Sequence, residues 1–183
     1  KRVECAQCHD EAGQVYAKSL HGERLAAGDP LAPTCGDCHG KHDIRPKSDA
    51  AATTSHANIP DTCGKCHSGI LREWAESAHG VLWKSANGGK KTSEAPVCST
   101  CHEPHAIKRT DTAVVRDQVA DRCGNCHQEV DKSFHDSFHG KASGLNNLQA
   151  AVCADCHTPH ANRPASDPRS SIHPDNLAKT CGA

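Results

Sequence analysis

Residues 62–67 read Thr62-Cys63-Gly64-Lys65-Cys66-His67, and the pattern of their last five positions occurs six times in the chain. Each copy has two cysteines separated by two residues, and a histidine directly follows the second cysteine. The copies take up 12 of the 13 cysteines. They comprise Cys5, Cys8 and His9; Cys35, Cys38 and His39; Cys63, Cys66 and His67; Cys98, Cys101 and His102; Cys123, Cys126 and His127; and Cys153, Cys156 and His157.

Cys-x-x-Cys-His is the attachment signature of c-type haem. Two thiols one helical turn apart can each form a thioether with one of the two vinyl groups on an edge of the haem. The following imidazole then lies under the ring, where it reaches the iron. The six motifs therefore predict six covalently bound haems c.

Three other uses of paired cysteines explain the pattern less well. Zinc ribbons use two Cys-x-x-Cys pairs for one metal ion, but they do not need a histidine after every pair. A disulfide scaffold does not require six pairs at identical spacing. A thioredoxin-like redox site needs one pair in a βαβ setting, and no such setting is visible.

The composition also indicates that aliphatic and aromatic side chains are too few to form the core by themselves. Leu, Ile, Val and Phe number 24 of 183 residues, or 13%, below the roughly 20% under which folding on side chains alone is doubtful. The formal charge is only −1, so the chain lacks the high net charge typical of disorder. Lysine and arginine are dispersed among acidic residues, and we expect no nucleic-acid binding.

The motifs recur in pairs at a fixed period. Odd-numbered motifs begin at Cys5, Cys63 and Cys123, and the remaining cysteine, Cys181, continues the series with steps of 58, 60 and 58 residues. This period predicts a tandem array of two-haem modules at residues 1–62, 63–122 and 123–180. We expect residues 181–183 to begin a further, truncated module in which Cys181 binds a seventh haem. Lys1 is expected to be a processed terminus or the start of a fragment.

Each module has the same internal order. An aromatic residue lies eight positions after the second cysteine, Ser-x-His-Gly follows it, and the second motif continues as Cys-His-x-x-His. The aromatic residues are Tyr16, Trp74 and Phe134; the histidines of Ser-x-His-Gly are His21, His79 and His139; those three positions after a motif histidine are His42, His105 and His160. With the motif histidines, these six supply two imidazoles for each of six irons. The chain has no methionine, so bis-histidine coordination is predicted, with low-potential iron. We expect His56, His135 and His173 to be surface residues.

The predicted fold is mostly irregular with short α-helices, arranged around a haem chain, with little or no β-sheet. Helices are predicted over residues 61–79 and 121–139, with aspartate N-caps and with Gly80 and Gly140 as left-handed stops. Residues 9–22 resemble a shorter version. No run of 18 apolar residues occurs, so no transmembrane segment is expected.

Ligand spacing predicts that the haems within each module exchange ligands. On a straight helix, His67 and His79 would lie about 18 Å apart along the axis, too far to face each other across one iron. His102 and His105 would instead share one helix face, and cannot approach one iron from opposite sides. Each distal histidine is therefore predicted to serve a neighbouring haem.

The whole chain resembles the multihaem c-type cytochromes with doubled Cys-x-x-Cys-His modules, which include class III cytochromes, periplasmic and outer-membrane conduits and extracellular cytochrome filaments. The resemblance implies export, an extracytoplasmic location, bis-histidine iron and electron hopping between haems. Partners would be other redox proteins or copies of the chain in a head-to-tail filament. The chain is thus expected to be a conduit and not an enzyme. The alternative is a subunit or fragment of a multihaem reductase of a nitrogen or sulfur oxyanion, which would need an iron with an open position.

Overall fold

The computed structural model describes residues 3–85, 95–110, 115, 118–145 and 147–182. Short helices joined by irregular connections fill these ranges, and no strand occurs in them, which confirms the predicted fold class. The α-helices are α1 (Asp10–Ala17), α2 (Leu20–Ala26), α3 (Cys35–His39), α4 (Ile59–Gly64), α5 (Ser68–Ala75), α6 (Ala78–Ser85), α7 (Cys98–Cys101), α8 (Val119–Gly124), α9 (Gln128–Asp136), α10 (Phe138–Gly144), α11 (Cys153–His157) and α12 (Leu177–Cys181). Three 3-10 helices lie at Cys5–Gln7, His56–Asn58 and Pro174–Asn176.

The chain folds into two compact units. The first comprises Lys1–Ala75 and His79–Lys108, and the second comprises Glu76–Ala78 and Arg109–Ala183. The three predicted modules and their boundaries stay a prediction. Among the described helices, none combines the length and the apolar character that crossing a membrane requires.

The first unit has a small apolar cluster built around two tryptophans. Trp74 and Trp83 pack edge to face, with ring centroids 5.3 Å apart, a favoured geometry for aromatic pairs. Ile59, Ala95 and Val97 complete the buried cluster, and against it pack the partly buried residues Cys63, Leu71, Ala75 and Cys98. Two attachment cysteines therefore lie directly against the core.

The second unit is held partly by charge. The guanidinium of Arg163, whose side chain is 11% exposed, lies 2.9 Å from Glu76 and 3.4 Å from Asp167. The Ala78 amide donates to the Asn162 carbonyl oxygen at 2.8 Å. The ion pair and the hydrogen bond hold residues 76–78 against the loop that follows α11.

The predicted long helices are wrong, because each is divided into three. Residues 61–79 span α4, α5 and the start of α6, and residues 121–139 span α8, α9 and the start of α10. Asp61 and Asp121 lie in the first turns of α4 and α8, whose N-caps are Asn58 and Gln118. The first interruption falls at the motif histidine: His127 has φ −102° and ψ 53°, outside the helical region.

The second interruption falls at the serine of Ser-x-His-Gly. Ser19 and Ser137 have extended backbones, and each side-chain oxygen accepts a hydrogen bond from the amide three residues later. The Ser19 hydroxyl also donates to the Tyr16 carbonyl oxygen at 2.7 Å. Serine is a favoured N-cap because its oxygen satisfies an amide that the helix cannot. Ser77 holds the same place before α6 and is fully buried.

Gly80 and Gly140 do not stop helices; they lie inside α6 and α10. Among the glycines of the described ranges, only Gly28 and Gly40 have a positive φ. At Gly80 a β-carbon would lie 2.0 Å from the Trp74 carbonyl oxygen, and at Gly140 it would lie 2.1 Å from that of Phe134. Gly22 has the same relation to Tyr16. Glycine is needed because two helices approach at this point without room for a side chain.

We expect Gly140→Ala to destabilise the haem-loaded protein by about 1–3 kcal/mol, the usual cost of overpacking, because its methyl group would collide with backbone. Gly144→Ala, in the same helix, is the matched control: nothing lies within 4 Å of its β-carbon. That substitution should be neutral or stabilising. Thermal unfolding followed by circular dichroism measures both, and equal melting temperatures for the two variants would contradict the close-approach role.

Candidate haem-attachment sites

Each attachment motif forms one helical turn. The amides of His9, His67, His102 and His127 donate to the carbonyl oxygens of the cysteines four residues earlier, at 2.9–3.0 Å. The motifs of α3 and α11 lie wholly within their helices. This turn places both thiols on one side and carries the histidine at its end, as thioether attachment to one haem edge requires.

A side chain inside the motif caps the turn in the even-numbered copies. The carboxylate of Asp37 accepts from the Thr34 amide at 2.7 Å, and that of Asp155 accepts from the Val152 amide at 2.7 Å. In the fourth motif the Thr100 hydroxyl accepts from the Val97 amide at 3.0 Å. The two variable positions of the motif therefore include a residue that fixes the start of the turn.

All thirteen cysteines lie in the described residues, and no disulfide joins any of them there. The second cysteine is exposed in five of the six motifs and half-buried at Cys156. The first cysteine is half-buried in every motif except at Cys35, where it is exposed. The thiols are thus accessible to a vinyl group. No cluster of three or more potential metal ligands occurs within the ranges that the structure describes.

The first cysteines of consecutive motifs meet in pairs. The thiols of Cys63 and Cys98 hydrogen-bond to each other; this contact raises the pKa of Cys63, as does burial, and it lowers the pKa of Cys98. A hydrogen bond from Cys123 lowers the pKa of Cys153 to about 7. In the remaining pair, burial and then the nearby Cys5 raise the pKa of Cys35. Motifs 1 and 2, 3 and 4, and 5 and 6 are therefore joined at their first cysteines.

Electrostatic effects show that the end of one pair lies near the start of the next. Burial, and after it the negative charge that Cys63 would carry, raises the pKa of Cys38. Burial and then Cys181 have the same effect on the pKa of Cys156. Motif 2 consequently lies beside motif 3 in the first unit, and motif 6 lies beside Cys181 in the second.

Two pairs of imidazoles face each other in the first unit. The rings of His21 and His67 have centroids 6.1 Å apart and planes 23° apart. The rings of His39 and His105 have centroids 5.9 Å apart and planes 14° apart. Burial, followed by the neighbouring imidazole, lowers the pKa of both His21 and His39. A lower pKa favours the neutral form of each ring, which is the form that binds a metal ion.

The other predicted distal histidines occupy equivalent local positions. His79 and His139 are the second residues of α6 and α10, as His21 is of α2. His42 and His139 are exposed, and His79 and His160 are half-buried. Which iron each of these four serves stays a prediction.

The three histidines expected at the surface differ in their surroundings. His135 lies on α9 with its Nε2 3.4 Å from the Asp131 carboxylate and a half-exposed side chain. His173 caps the last 3-10 helix, since its Nδ1 accepts from the Asp175 amide at 3.3 Å. His56 is half-buried at the start of its own 3-10 helix.

The loops that follow motifs 2 and 6 are built alike, which the sequence reasoning missed. Each begins with Arg-Pro-x-Ser-Asp, at Arg45 and Arg163, and this offset of 118 residues was the available signal. In the loop after motif 2, side chains donate to carbonyl oxygens in three hydrogen bonds: Thr53 to Cys38, Asn58 to Ala52 and Thr62 to Thr53. The loop after motif 6 has the three equivalent hydrogen bonds: Ser171 to Cys156, Asn176 to Ser170 and Thr180 to Ser171. Cys181 thus takes the place that Cys63 holds, which supports its predicted role.

The arrangement fits a haem at motifs 2 and 3, where a second imidazole faces His39 and His67. Two metal–imidazole bonds of about 2 Å, with the distance from each nitrogen to its ring centre, separate axial imidazole centroids by about 6 Å, as in both pairs. Apolar side chains without cover are also numerous: Val3, Leu31, Phe138 and Leu145 are each more than 80% exposed. The apolar faces of a porphyrin would shield such residues from water. The cysteines would hold the haem by its edge, and the imidazoles would bind its iron.

The doubled CXXCH motif family matches the chain over residues 90–132. This stretch contains the fourth and fifth attachment motifs. The comparisons with curated proteins and with solved structures find no match. The chain therefore carries a multihaem motif of the c-type cytochrome kind, which points to covalently bound haem c and electron transfer.

Proposed function

We propose that this chain is an electron conduit in which six haems c, attached at the six motifs, pass electrons from one to the next. The observation that carries the proposal is the contact between thiols of consecutive motifs. Because a haem is attached through these sulfurs, neighbouring haem edges must lie as close as the thiols allow. Electron tunnelling falls steeply with the distance between edges, so close edges favour rapid transfer.

The contacts define a path within each unit. In the first unit, Cys5 meets Cys35, Cys38 lies near Cys63, and Cys63 meets Cys98. The four attachment sites of this unit thus lie in succession. In the second unit, Cys123 meets Cys153, and Cys156 lies near Cys181. The proximity of Cys156 and Cys181 supports a seventh haem at Cys181.

Iron in this proposal is held by two imidazoles and takes no substrate. The six motif histidines supply one ligand each, and His21, His42, His79, His105, His139 and His160 supply the second. The haem provides the redox couple, and histidine as the second ligand favours a lower potential than methionine would. The protein's own residues fix the distances between haems and shield them from water.

The conduit would work outside the cytoplasm, in the periplasm, at the cell surface or extracellularly. This location is proposed from the resemblance to multihaem cytochromes. Its partners would be other redox proteins or further copies of the chain. A tandem array with unlike ends can extend head to tail, and such contacts generate filaments when they do not close into a ring. Electron microscopy of the purified holoprotein would distinguish a wire-like filament from a soluble shuttle.

We expect six haems to remain on residues 1–183 after denaturation, because thioether bonds survive unfolding. Mass spectrometry of the holoprotein measures this number. Replacing Cys98 and Cys101 with alanine should remove one haem. Cys181→Ser is the control and should leave six, since no second cysteine or histidine follows it in this sequence. Haem that extracts into acidic organic solvent would refute covalent attachment.

We also expect every iron to be low-spin and six-coordinate, since the chain has a second imidazole available for each. Electron paramagnetic resonance of the oxidised protein and carbon monoxide binding to the reduced protein measure this. Negligible high-spin signal and slow carbon monoxide binding are the expected results. Rapid binding to one iron would instead favour the reductase, because substrate reduction needs an open coordination position.

A further inference from the structure

Two modules of the first unit each place an imidazole against the other's attachment motif. His21 belongs to the Ser-x-His-Gly segment of the first predicted module, yet its ring lies 6.1 Å from that of His67, in the first motif of the second module. His105 belongs to the second module, yet its ring lies 5.9 Å from that of His39 in the first. Each pair combines one motif histidine with one predicted distal histidine.

The geometry of both pairs is that of two axial ligands on one iron. The centroid distances match the separation of about 6 Å that two metal–imidazole bonds require. The ring planes are also nearly parallel, at 23° and 14°. Burial of His21 and His39 leaves one imidazole of each pair half-shielded from water.

One backbone contact holds both crossing histidines. The amide of Leu20, next to His21, donates to the carbonyl oxygen of Ile107 at 2.8 Å. Ile107 lies two residues after His105, and a turn between Glu103 and Ala106 closes at 2.9 Å. This hydrogen bond joins the two segments that carry the distal histidines. Each segment therefore helps to position the other.

The position of His21 is fixed further by its own motif. Ser19 caps α2 by accepting from the Gly22 amide at 3.1 Å. Gly22 lies against the Tyr16 carbonyl oxygen, where a β-carbon would come within 2.0 Å of it. The serine and the glycine on either side thus set the point at which His21 leaves the helix turn.

We propose that His21 is the distal ligand of the haem on Cys63 and Cys66, and that His105 is the distal ligand of the haem on Cys35 and Cys38. This assignment rests on the proposed function and names the ligands for two of its irons. The two modules exchange ligands, so neither iron is six-coordinate unless both modules are folded. The exchange predicted within each module rested on a straight helix that does not exist, and the ring positions support an exchange between the two modules instead.

The test is the spin state of the holoprotein in single histidine variants. His21→Ala should convert one iron of six to the high-spin state, measured by electron paramagnetic resonance, and His105→Ala should convert a different one. Added imidazole should restore the low-spin state. His135→Ala is the matched control and should convert none, because the half-exposed His135 side chain lies on α9 with its Nε2 3.4 Å from the Asp131 carboxylate.

Removing one haem locates the converted iron. In a protein whose Cys63 and Cys66 are alanine, His21→Ala should add no further high-spin iron, whereas it should still add one when Cys35 and Cys38 are replaced. The reverse result holds for His105→Ala. A high-spin iron that appears with His21→Ala despite the loss of Cys63 and Cys66 would overturn the assignment.

A variant that fails to fold does not end the test. His21→Met should keep six haems and six-coordinate iron while raising the potential of one haem, since methionine ligation raises potential. An unchanged set of potentials would count against His21 as a ligand. Absence of covalent haem in the wild type would instead refute the proposed function, and that result is read separately by mass spectrometry.

Discussion

Cys63 and Cys98 meet through their thiols at the edge of the cluster formed by Trp74 and Trp83. Their contact joins two attachment turns that are 35 residues apart in sequence. The helices around them must bring both turns to one point, and the short length of these helices reflects that demand. Equivalent contacts at Cys5 and Cys123 impose the same arrangement on the other motifs. The contacts between first cysteines therefore determine how the attachment turns are arranged in each pair.

Local pattern predicted the attachment turns and the absence of a sheet in the described residues, because both depend on neighbours in sequence. It did not predict where the helices break. Ser-x-His-Gly was interpreted as a helix end, since glycine commonly ends helices. In the structure the same serine begins a new helix, and Gly80 lies against the Trp74 carbonyl oxygen. That use of glycine depends on a contact between two helices, which a local rule does not contain.

The sequence also could not predict which two histidines lie together, for a related reason. The spacing of His67 and His79 indicated that they do not share an iron, although that argument assumed a straight helix that the structure does not have. It could not show that His21 lies beside His67, because that depends on how two modules pack. The repeated loops at Arg45 and Arg163 were more accessible, since equal spacing of the same side chains predicts equal hydrogen bonds. Their agreement places Cys181 as a counterpart of Cys63.

The hydrogen bond between Leu20 and Ile107 has a consequence for the order of folding. It closes a loop of 87 residues, and bringing such distant segments together costs about 4 kcal/mol of chain entropy. One backbone hydrogen bond contributes only about 0.5–1.5 kcal/mol. This contact therefore cannot lead folding. The shorter loops, closed where Cys5 meets Cys35 and where Cys63 meets Cys98, cost less chain entropy to close, so we expect them to form first and to reduce the freedom of the intervening chain. We then expect the segments that carry His21 and His105 to come together last. That step joins the region around Cys5 and Cys35 to the region around Cys63 and Cys98, so that the two unfold together.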